Sequence, residues 1–346
     1  MHTMKDVARL SGVSVTTVSA VLNSRQWVRP VVAQRVKKAM EALNYRPDYV
    51  ARSLRTKQTN TIGMVITDIA SSFYTEMVRG VQDTARKARY SLILCNTDDE
   101  SEEEERHLIT LYSQRVDGII LATTYQHEAQ LPRSRRPCPI VLVDRVLPGF
   151  KGDMVVINNV AAAYKATQHL IELGHTRIGI IAGNPHVATA RDREEGFRKA
   201  MQDAHLEVPR QFAKCGGFRM EGGYHSALEL LEMPGRPTAL ISCNYLMTVG
   251  LMRAINETGI PCPQELSIVG FDDFDTGLDG FSLASLFNPK LTTIRQPAYE
   301  IGRRAFEMLL QRMTRPEKAA DSGAGETLIL DAGLIIRNST APPPKE

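Results

Sequence analysis

The sequence predicts an α/β protein in which a small helical domain precedes a core of two doubly wound parallel sheets. From Thr61 onward, apolar runs rich in β-branched residues alternate with amphipathic helical segments, which is typical of buried parallel strands joined by helices. The alternation restarts in the second half of the chain, which indicates two similar lobes in tandem. The residues before Thr61 show helical patterns only.

The composition is that of a globular protein: 346 residues, 43% hydrophobic and 23% charged. No apolar run approaches a membrane span, and the N-terminus MHTMKDVARL lacks a signal-peptide pattern, so a cytoplasmic location is expected. The five cysteines are scattered without a C-x-x-C pair. This spacing predicts reduced thiols rather than a disulfide framework or a metal site.

The formal net charge of +3 is unevenly distributed along the chain. Residues 1–60 hold eleven Lys or Arg against three acidic residues, a balance of +8, so the remainder (+3 less +8) carries −5. A small basic head on a mildly acidic body favours a polyanionic partner for the head.

The basic head is predicted to form three short helices, the first over residues 5–10. Gly12 can take the positive φ of a tight turn, and Ser14 can cap the second helix by accepting from the Thr17 amide. Pro30 suits the first turn of the third helix. The apolar residues predicted to face inward are Val18, Val21, Leu22, Val36, Met40 and Leu43. This arrangement is a helix-turn-helix pattern.

The segment NYRPDYVARSLRTKQTNTIG links the head to the first strand. Pro47 interrupts it, and residues 48–55 could form about two helical turns. So short a helix is unstable alone in water because nucleation is costly. The linker is therefore predicted to become ordered only when it docks against a partner.

An acidic run, DDESEEEER, follows the second predicted strand. Ser101 is placed to cap a helix whose first turn holds glutamates, which the positive end of the helix dipole favours. This interpretation is preferred to metal binding.

The core strands are predicted in TIGMVITD, YSLILCN, VDGIILA and PIVLVD, and then in RIGIIAG, PTALISC and LSIVGFDD. In doubly wound sheets, ligands bind beyond the carboxyl ends of the strands. The crevice between the two lobes is therefore the predicted ligand site.

Two other classes of protein fit less well. An enzyme of Rossmann type needs G-x-G-x-x-G or a P-loop after a first strand, and neither occurs here; the histidines also have no H-E-x-x-H spacing. The pair Asp272-Asp273 is interpreted as ligand-binding rather than acid–base. A secreted sugar-binding protein needs a signal peptide and has no use for a basic head. No enzyme activity and no cofactor are expected.

The motifs MKDVARLSGVSVTTVSAVLN, LNYRPDYVARSL, LIELGHTRIGIIAG, GFRKAM, LSIVGFDD and LTTIRQP occur in this order. From about residue 3 to residue 340 the chain resembles the lactose/galactose repressor (LacI/GalR) family. Short stretches such as VARSL, FYTEMVRGV and YSLILCNT look closest to its ribose and purine repressor branch. The resemblance implies a transcription regulator, a repressor of carbohydrate uptake or catabolism genes that works as a homodimer on a near-palindromic DNA operator.

The resemblance also implies a domain organisation with a core like periplasmic sugar-binding proteins. The ranges are a helix-turn-helix headpiece over 1–46, a hinge helix and linker over 47–60, and an effector-binding core over 61–346. Lobe 1 is expected over about 61–160 plus 291–322, and lobe 2 over about 161–290 plus 323–340. The end of the chain, IIRNSTAPPPKE, has no heptads, so a dimer rather than a tetramer is expected.

DNA contacts implied by the family fall on the second helix and the hinge. They are Ser14, Val15, Thr16, Thr17, Ser19, Ala20 and Asn23 on and around the helix, and Ala51, Arg52, Leu54 and Arg55 in the hinge. Val15, Thr16 and Ala20 would face the bases, where methyl groups contact thymine and a hydroxyl bonds either kind of base edge. Ala20 departs from the Arg or His of many members, which predicts weaker base readout.

The effector-binding residues implied by the family lie at the strand ends of both lobes. They are Asp68, Ser72, Phe73, Tyr74, Asp144 and Arg145 in the first lobe, and Thr189, Arg193, Phe218, Asn244 and Asp272 in the second. Carboxylates, an amide and a guanidinium bind paired sugar hydroxyls, and an aromatic face packs on ring C–H groups.

Three departures from the family pattern leave the effector open. Tyr245 follows Asn244 where most members have Asp, the segment 274–290 is longer, and Arg145 beside Asp144 leaves room for a carboxylate-bearing ligand. A neutral monosaccharide is the first hypothesis; a sugar acid or a purine is the alternative. The ligand can act as inducer or as corepressor.

A substitution at Leu54 tests whether the hinge segment enters the minor groove. The family places Leu54 as a wedge that enters the minor groove, and such wedges kink DNA by roughly 20–90° at flexible steps. We expect Leu54→Ala to lose far more affinity for an operator with a central CG step than for bulk DNA, as measured by fluorescence anisotropy. Equal losses on both DNAs would contradict the wedge.

Overall fold

The computed structural model describes residues 2–22, 27–45, 58–132, 138–273, 282–314 and 325–345. Two compact units divide the chain, Met1–Thr59 and Asn60–Glu346. The predicted fold class is confirmed: a helix-turn-helix unit precedes a two-lobed α/β core. No helix within the described ranges is long and apolar enough to cross a membrane.

The N-terminal unit contains α1 (Met4–Ser11), α2 (Val15–Leu22) and α3 (Pro30–Ala42). Gly12 ends α1 with φ of 64°, and the Ser14 hydroxyl accepts from the Thr17 amide at 3.1 Å, so both predicted turn features are confirmed. A small core of Val7, Val18 and Val36 is fully buried where the three helices meet.

Lobe 1 is built on a six-stranded sheet with the order β11-β5-β4-β3-β1-β2, in which every paired strand is parallel. Its strands are β1 (Thr61–Ile66), β2 (Ser91–Asn96), β3 (Gly118–Leu121), β4 (Ile140–Val143), β5 (Asp153–Ile157) and β11 (Thr327–Leu330). Its helices are α4 (Ser72–Lys87), α5 (Ser101–Ser113) and α10 (Ala298–Thr314). Strand β1 is buried on both faces because Met64 packs on the side of α4 and Val65 on the side of α5.

Lobe 2 repeats this architecture with the strand order β12-β10-β9-β8-β6-β7. Its strands are β6 (Ile178–Ala182), β7 (Ala213–Cys215), β8 (Ala239–Ser242), β9 (Ser267–Phe271), β10 (Thr292–Arg295) and β12 (Gly333–Ile335). Its helices are α6 (Asn159–Glu172), α7 (Ala188–Asp203), α8 (Met220–Glu232) and α9 (Tyr245–Thr258). Strand β12 pairs antiparallel with β10, and the other pairs are parallel.

The lobe boundaries near the C-terminus differ from those expected from the sequence. The sequence predicts β10 in lobe 1 (291–322), but β10 pairs with β9 of lobe 2. It predicts β11 in lobe 2 (323–340), but β11 pairs with β5 of lobe 1. The chain therefore crosses between lobes after β5, after β10 and again after β11. Strands as short as TTIR and TLIL fit either sheet, so periodicity alone does not assign them.

The acidic run begins α5, although Ser101 is its first helical residue and not its cap. Glu100 occupies the cap position and makes no side-chain capping hydrogen bond. The glutamates lie in the first turn as predicted, but Glu104 is fully buried. Its carboxylate accepts from the hydroxyls of Thr123 (2.7 Å) and Thr124 (2.6 Å). Burial raises the pKa of Glu104, and these hydrogen bonds oppose the shift. Glu104 therefore anchors the segment that follows β3.

Glycines allow the helices of each lobe to pack at close range. A Cβ on Gly302 of α10 would collide with the Met77 carbonyl of α4, and one on Gly80 with the Tyr299 carbonyl. In lobe 2, Gly196 of α7 meets the Val160 carbonyl in the same way. The obstacles are backbone atoms, which cannot rotate away as a side chain can.

Gly302→Ala tests this packing. We expect overpacking to lower the free energy of unfolding by about 1–3 kcal/mol. This cost exceeds the roughly 1 kcal/mol that alanine gains over glycine from its higher helix propensity. The matched control is Gly333→Ala, because a Cβ there meets no atom within 4 Å. Urea denaturation checks both variants, and equal stability of the two would contradict the close packing.

Candidate functional site

The side chains exposed at the start of α2 are small and uncharged. Val15 is 40% exposed, and Ser14 and Thr16 are also exposed. The Thr17 and Ser14 hydroxyls lie 2.9 Å apart and bond each other, which fixes the first turn. Ser19 is half-buried. The other predicted DNA contacts, Asn23, Ala51, Arg52, Leu54 and Arg55, lie outside the described residues.

Ala20 is a correction to the predicted base-facing set. It is only 5% exposed, although it lies about 200° around the helix from the core residue Val18, at about 100° per residue. A covered methyl group has no surface to offer a thymine methyl. Ser14, Val15 and Thr16 therefore present the accessible polar and apolar groups of this turn.

A cleft of about 580 Å³ opens between the two lobes of the core, at the carboxyl ends of their strands. The predicted residues that line it are Asp68, Phe73, Tyr74, Asp144, Arg145, Thr189, Arg193, Phe218, Asn244 and Asp272. Ser72 is the exception. It is the first residue of α4 and is not part of the lining, whereas the neighbouring, buried Ser71 lines the cleft.

Further lining residues were missed by the sequence argument. They are Thr67, Ser71, Asp98, Asp99, Gly217, Arg219, Leu246 and Gln296. Asp98 and Asp99 follow β2 and Gln296 follows β10, so the rule that ligands bind at strand ends could have found them. The two aspartates were instead assigned to the acidic run that begins α5.

In lobe 1 the polar lining is tied together by hydrogen bonds. The Tyr74 hydroxyl donates to Asp144 at 2.7 Å, and one Arg145 nitrogen donates to Asp99 at 2.6 Å and to the Thr123 carbonyl at 3.3 Å. Burial, followed by the charge of Asp144, raises the pKa of Tyr74 well above its ordinary value. Burial acts against the charge of Arg145, but Tyr74, Asp99 and Asp144 together raise its pKa. Arg145 thus stays charged and already has an acidic partner.

In lobe 2 Arg193 is held on several sides while it lines the cleft. It donates to the Asn159 side chain at 2.8 Å and to the Cys243 carbonyl at 2.6 Å. Its guanidinium carbon lies 3.9 Å from the centre of the Phe271 ring, a cation–π contact. These partners fix the orientation of a buried charge before any ligand arrives.

Asp272 is buried and follows β9 in a left-handed conformation with φ of 73°. It accepts from the Gln296 side chain at 2.7 Å and from the Tyr245 amide at 3.2 Å. Burial raises its pKa, although Arg193 and both hydrogen bonds oppose the shift. Asp144 (φ 64°) and Phe218 (φ 62°) adopt the same rare conformation at other strand ends. Asp98 and Asp99 are left-handed as well, and backbone of this kind at five non-glycine cleft positions is strain that functional sites retain.

Two buried polar atoms of the lining have no hydrogen-bond partner within the described ranges: Nε of Arg145, which lies 3.9 Å from an Asp144 carboxylate oxygen, and Oε1 of Gln296. One is a donor and the other an acceptor. A hydroxyl group can satisfy either atom, since it both donates and accepts. The aromatic rings of Phe73 and Phe218 border the same cleft. Among the described residues, no group of three or more His, Cys, Asp or Glu could hold a metal ion.

The two units match two parts of one family. Residues 3–48 match the family described as bacterial regulatory proteins, lacI family. Residues 59–329 match periplasmic binding proteins and the sugar binding domain of the LacI family. The chain belongs to the LacI family, and it is a DNA-binding transcription regulator of that type.

Relatives agree with this assignment and with the predicted branch. The chain is 40% identical to the ribose operon repressor of Escherichia coli (strain K12), over 91% of this chain and 94% of that repressor. It is 37% identical to the HTH-type transcriptional repressor PurR of Haemophilus influenzae (strain PittEE), over 98% of each. Among solved structures, the lac repressor dimer bound to operator and the anti-inducer ONPF matches with a TM-score of 0.82 and 27% identity, over 98% of this chain and 99% of that one.

Asp272→Asn tests the electrostatics of the cleft. Because burial raises the pKa of Asp272, the folded protein holds this proton more tightly than the unfolded chain does. The stability from this group is full below the unfolded pKa, about 4, and is lost as the pH rises through the folded pKa. Asparagine mimics the protonated carboxyl, so we expect the variant to gain stability relative to wild type between about pH 4 and pH 7.

The measurement is urea denaturation at several pH values across that range. Asp203→Asn is the control, because Asp203 is exposed and accepts a hydrogen bond from the Tyr164 hydroxyl. A stability difference between Asp272→Asn and wild type that does not change with pH would contradict the burial argument.

Proposed function

We propose that the protein is a homodimeric repressor of carbohydrate uptake or catabolism genes, whose affinity for a near-palindromic operator is controlled by a small neutral sugar. The observation that carries the choice of ligand is the charge of the cleft. Five carboxylates line it against three guanidinium groups: Asp68, Asp98, Asp99, Asp144 and Asp272 against Arg145, Arg193 and Arg219. An excess of negative charge repels an anionic effector.

The hydrogen-bonding groups of the cleft support a polyhydroxyl ligand. Carboxylates accept from sugar hydroxyls. Nε of Arg145 and Oε1 of Gln296, which lack a hydrogen-bond partner, complement a hydroxyl as donor and acceptor. The rings of Phe73 and Phe218 offer apolar faces to the C–H groups of a sugar ring. The match of residues 59–329 to a sugar binding domain supports the same class of ligand.

The sugar-acid alternative loses its main argument. It rested on Arg145 as a free cation beside Asp144, but Arg145 is paired with Asp99 at 2.6 Å. A ligand carboxylate would compete with Asp99 for Arg145 and would lie near the other four carboxylates of the cleft. The purine alternative is supported by the 37% identity to PurR, so purines belong in the ligand panel.

The three chain crossings between the lobes provide a route for control of DNA binding. A ligand that bonds residues of both lobes favours closure of the lobes. The crossings after β5, β10 and β11 are the segments about which the lobes rotate. Coupling of this kind is typically about 1–3 kcal/mol and reciprocal between the two ligands. We propose that closure shifts the paired first lobes of the dimer and thereby alters the docking of the hinge residues 47–60 on DNA.

We also propose that the protein is cytoplasmic and has no enzymatic activity. A regulator of transcription acts on nucleoid DNA in the cytoplasm. The acidic side chains of the cleft are held by neighbours, as Asp144 is by Tyr74 and Asp272 by Gln296, which suits positioning of a ligand rather than catalysis. The relatives named above are likewise repressors.

A ligand panel tests the cleft chemistry. We expect isothermal titration to detect a neutral monosaccharide such as D-ribose, and the corresponding sugar acid to bind at least about tenfold more weakly because the cleft is acidic. Asp144→Asn should abolish or strongly weaken binding of the neutral sugar, whereas the exposed control Asp203→Asn should retain it. Binding of purines alone would overturn the choice of ligand.

Operator binding is tested with DNA selected by the protein from a random pool. Since the headpiece is basic, we expect the affinity to fall by about 10³–10⁵-fold between about 50 and 200 mM salt. Addition of the bound sugar should change the midpoint of a mobility-shift titration. A weaker complex identifies an inducer and a tighter one a corepressor, while an unchanged midpoint would contradict control by the cleft.

A further inference from the structure

Two loops, one from each lobe, meet at the mouth of the cleft. The lobe 1 loop (residues 96–99) begins at the last residue of β2, and the lobe 2 loop (residues 216–219) follows β7. The guanidinium of Arg219 donates a hydrogen bond of 2.8 Å to the backbone carbonyl of Asp98. Both residues are exposed and both line the cleft, so this bond spans its entrance.

The lobe 1 loop is rigidly held independently of Arg219. Asn96 donates to the Asp98 carboxylate and accepts from the Ile69 amide, each at 2.8 Å. The Asp99 amide donates to the Thr67 carbonyl at 3.0 Å, and the Asp99 carboxylate pairs with Arg145. Asp98 and Asp99 both have left-handed backbone, with φ of 51° and 66°. The Asp98 carbonyl is thus a fixed acceptor.

The lobe 2 loop is fixed in the same manner. The Gly216 amide donates to the Ala182 carbonyl at 2.8 Å, and Asn244 donates to the Phe218 carbonyl at 3.1 Å. The Phe218 ring occupies the space that a Cβ on Gly183 would need. Gly217 and Phe218 are both left-handed with φ of 62°. The donor therefore projects from a loop as well ordered as the acceptor.

We propose that Arg219 is a positioning residue that latches the two lobes across the mouth of the cleft. Because both loops are held by their own lobes, the bond from Arg219 to Asp98 stabilises the closed arrangement of the lobes and not the fold of either loop. The latch also keeps Phe218 over the cleft and slows escape of a bound effector. This last consequence rests on the proposed function, whereas the latch itself does not.

Hydrogen–deuterium exchange of the full-length, ligand-free protein tests the latch. We expect Arg219→Ala to speed amide exchange about tenfold in both loops, because the lobes then open more often and expose loop amides that closure shields from solvent. The factor corresponds to one lost hydrogen bond to a charged group. Arg219→Lys retains a cationic donor and should restore most of the protection. Arg236→Ala is the matched control, since Arg236 is a lobe 2 arginine that pairs with Glu265 at 2.6 Å away from the cleft.

Exchange in the lobe 1 loop decides the outcome, because Arg219 belongs to the other lobe. Faster exchange confined to residues 214–220, or exchange equal to that of Arg236→Ala in both loops, would show a local role and overturn the latch. Thermal unfolding of each variant verifies that the fold is intact.

A second readout concerns the effector. With D-ribose as the probe, we expect Arg219→Ala to raise Kd about tenfold, mainly through faster dissociation. An unchanged Kd would overturn the role of the latch in effector retention. If wild-type protein binds neither D-ribose nor another neutral sugar, the proposed function fails, and the exchange comparison still decides the latch on its own.

Discussion

The constraint on which this molecule depends is that parallel strands end at a common edge. Each lobe directs the carboxyl ends of its strands towards the same cleft, and the chain turns sharply as it leaves them. Asp144, Phe218 and Asp272 make that turn in left-handed backbone, which directs their side chains into the space between the lobes. The chemistry of the cleft therefore follows from sheet geometry, and loop residues supply its variety.

Most of the cleft could be predicted because strand ends are visible in the sequence. Asp144 and Asp272 each follow a long apolar run, and the family resemblance placed Arg193 and Phe218 beside them. Arg219 left no such signal, since its partner is the backbone carbonyl of Asp98, more than a hundred residues away in the chain. Contacts of a side chain with remote backbone do not depend on the partner's residue type, so sequence patterns do not reveal them.

Two further differences have equally local causes. Ala20 has the position of a base-contacting residue, yet its methyl group is covered, and a one-carbon side chain is too short to escape its surroundings. The sequence predicts β10 and β11 in the wrong lobes because segments of four residues carry no information about which sheet they join. The strands predicted earlier in each lobe follow one another along the chain in two uninterrupted series, so sequence order alone assigns them to their sheets.

The repeated crossing of the chain between the lobes near its C-terminal end has a consequence for biosynthesis. Strand β11 completes the first sheet beside β5, and β12 completes the second beside β10, so each lobe contains segments made before and after the other. During translation, the first sheet cannot be finished until the ribosome has passed residue 330, or the second until it has passed residue 335. The N-terminal unit lies wholly before the core and needs no part of it to build its small hydrophobic centre. A nascent chain therefore acquires its DNA-reading module well before the module that senses the ligand.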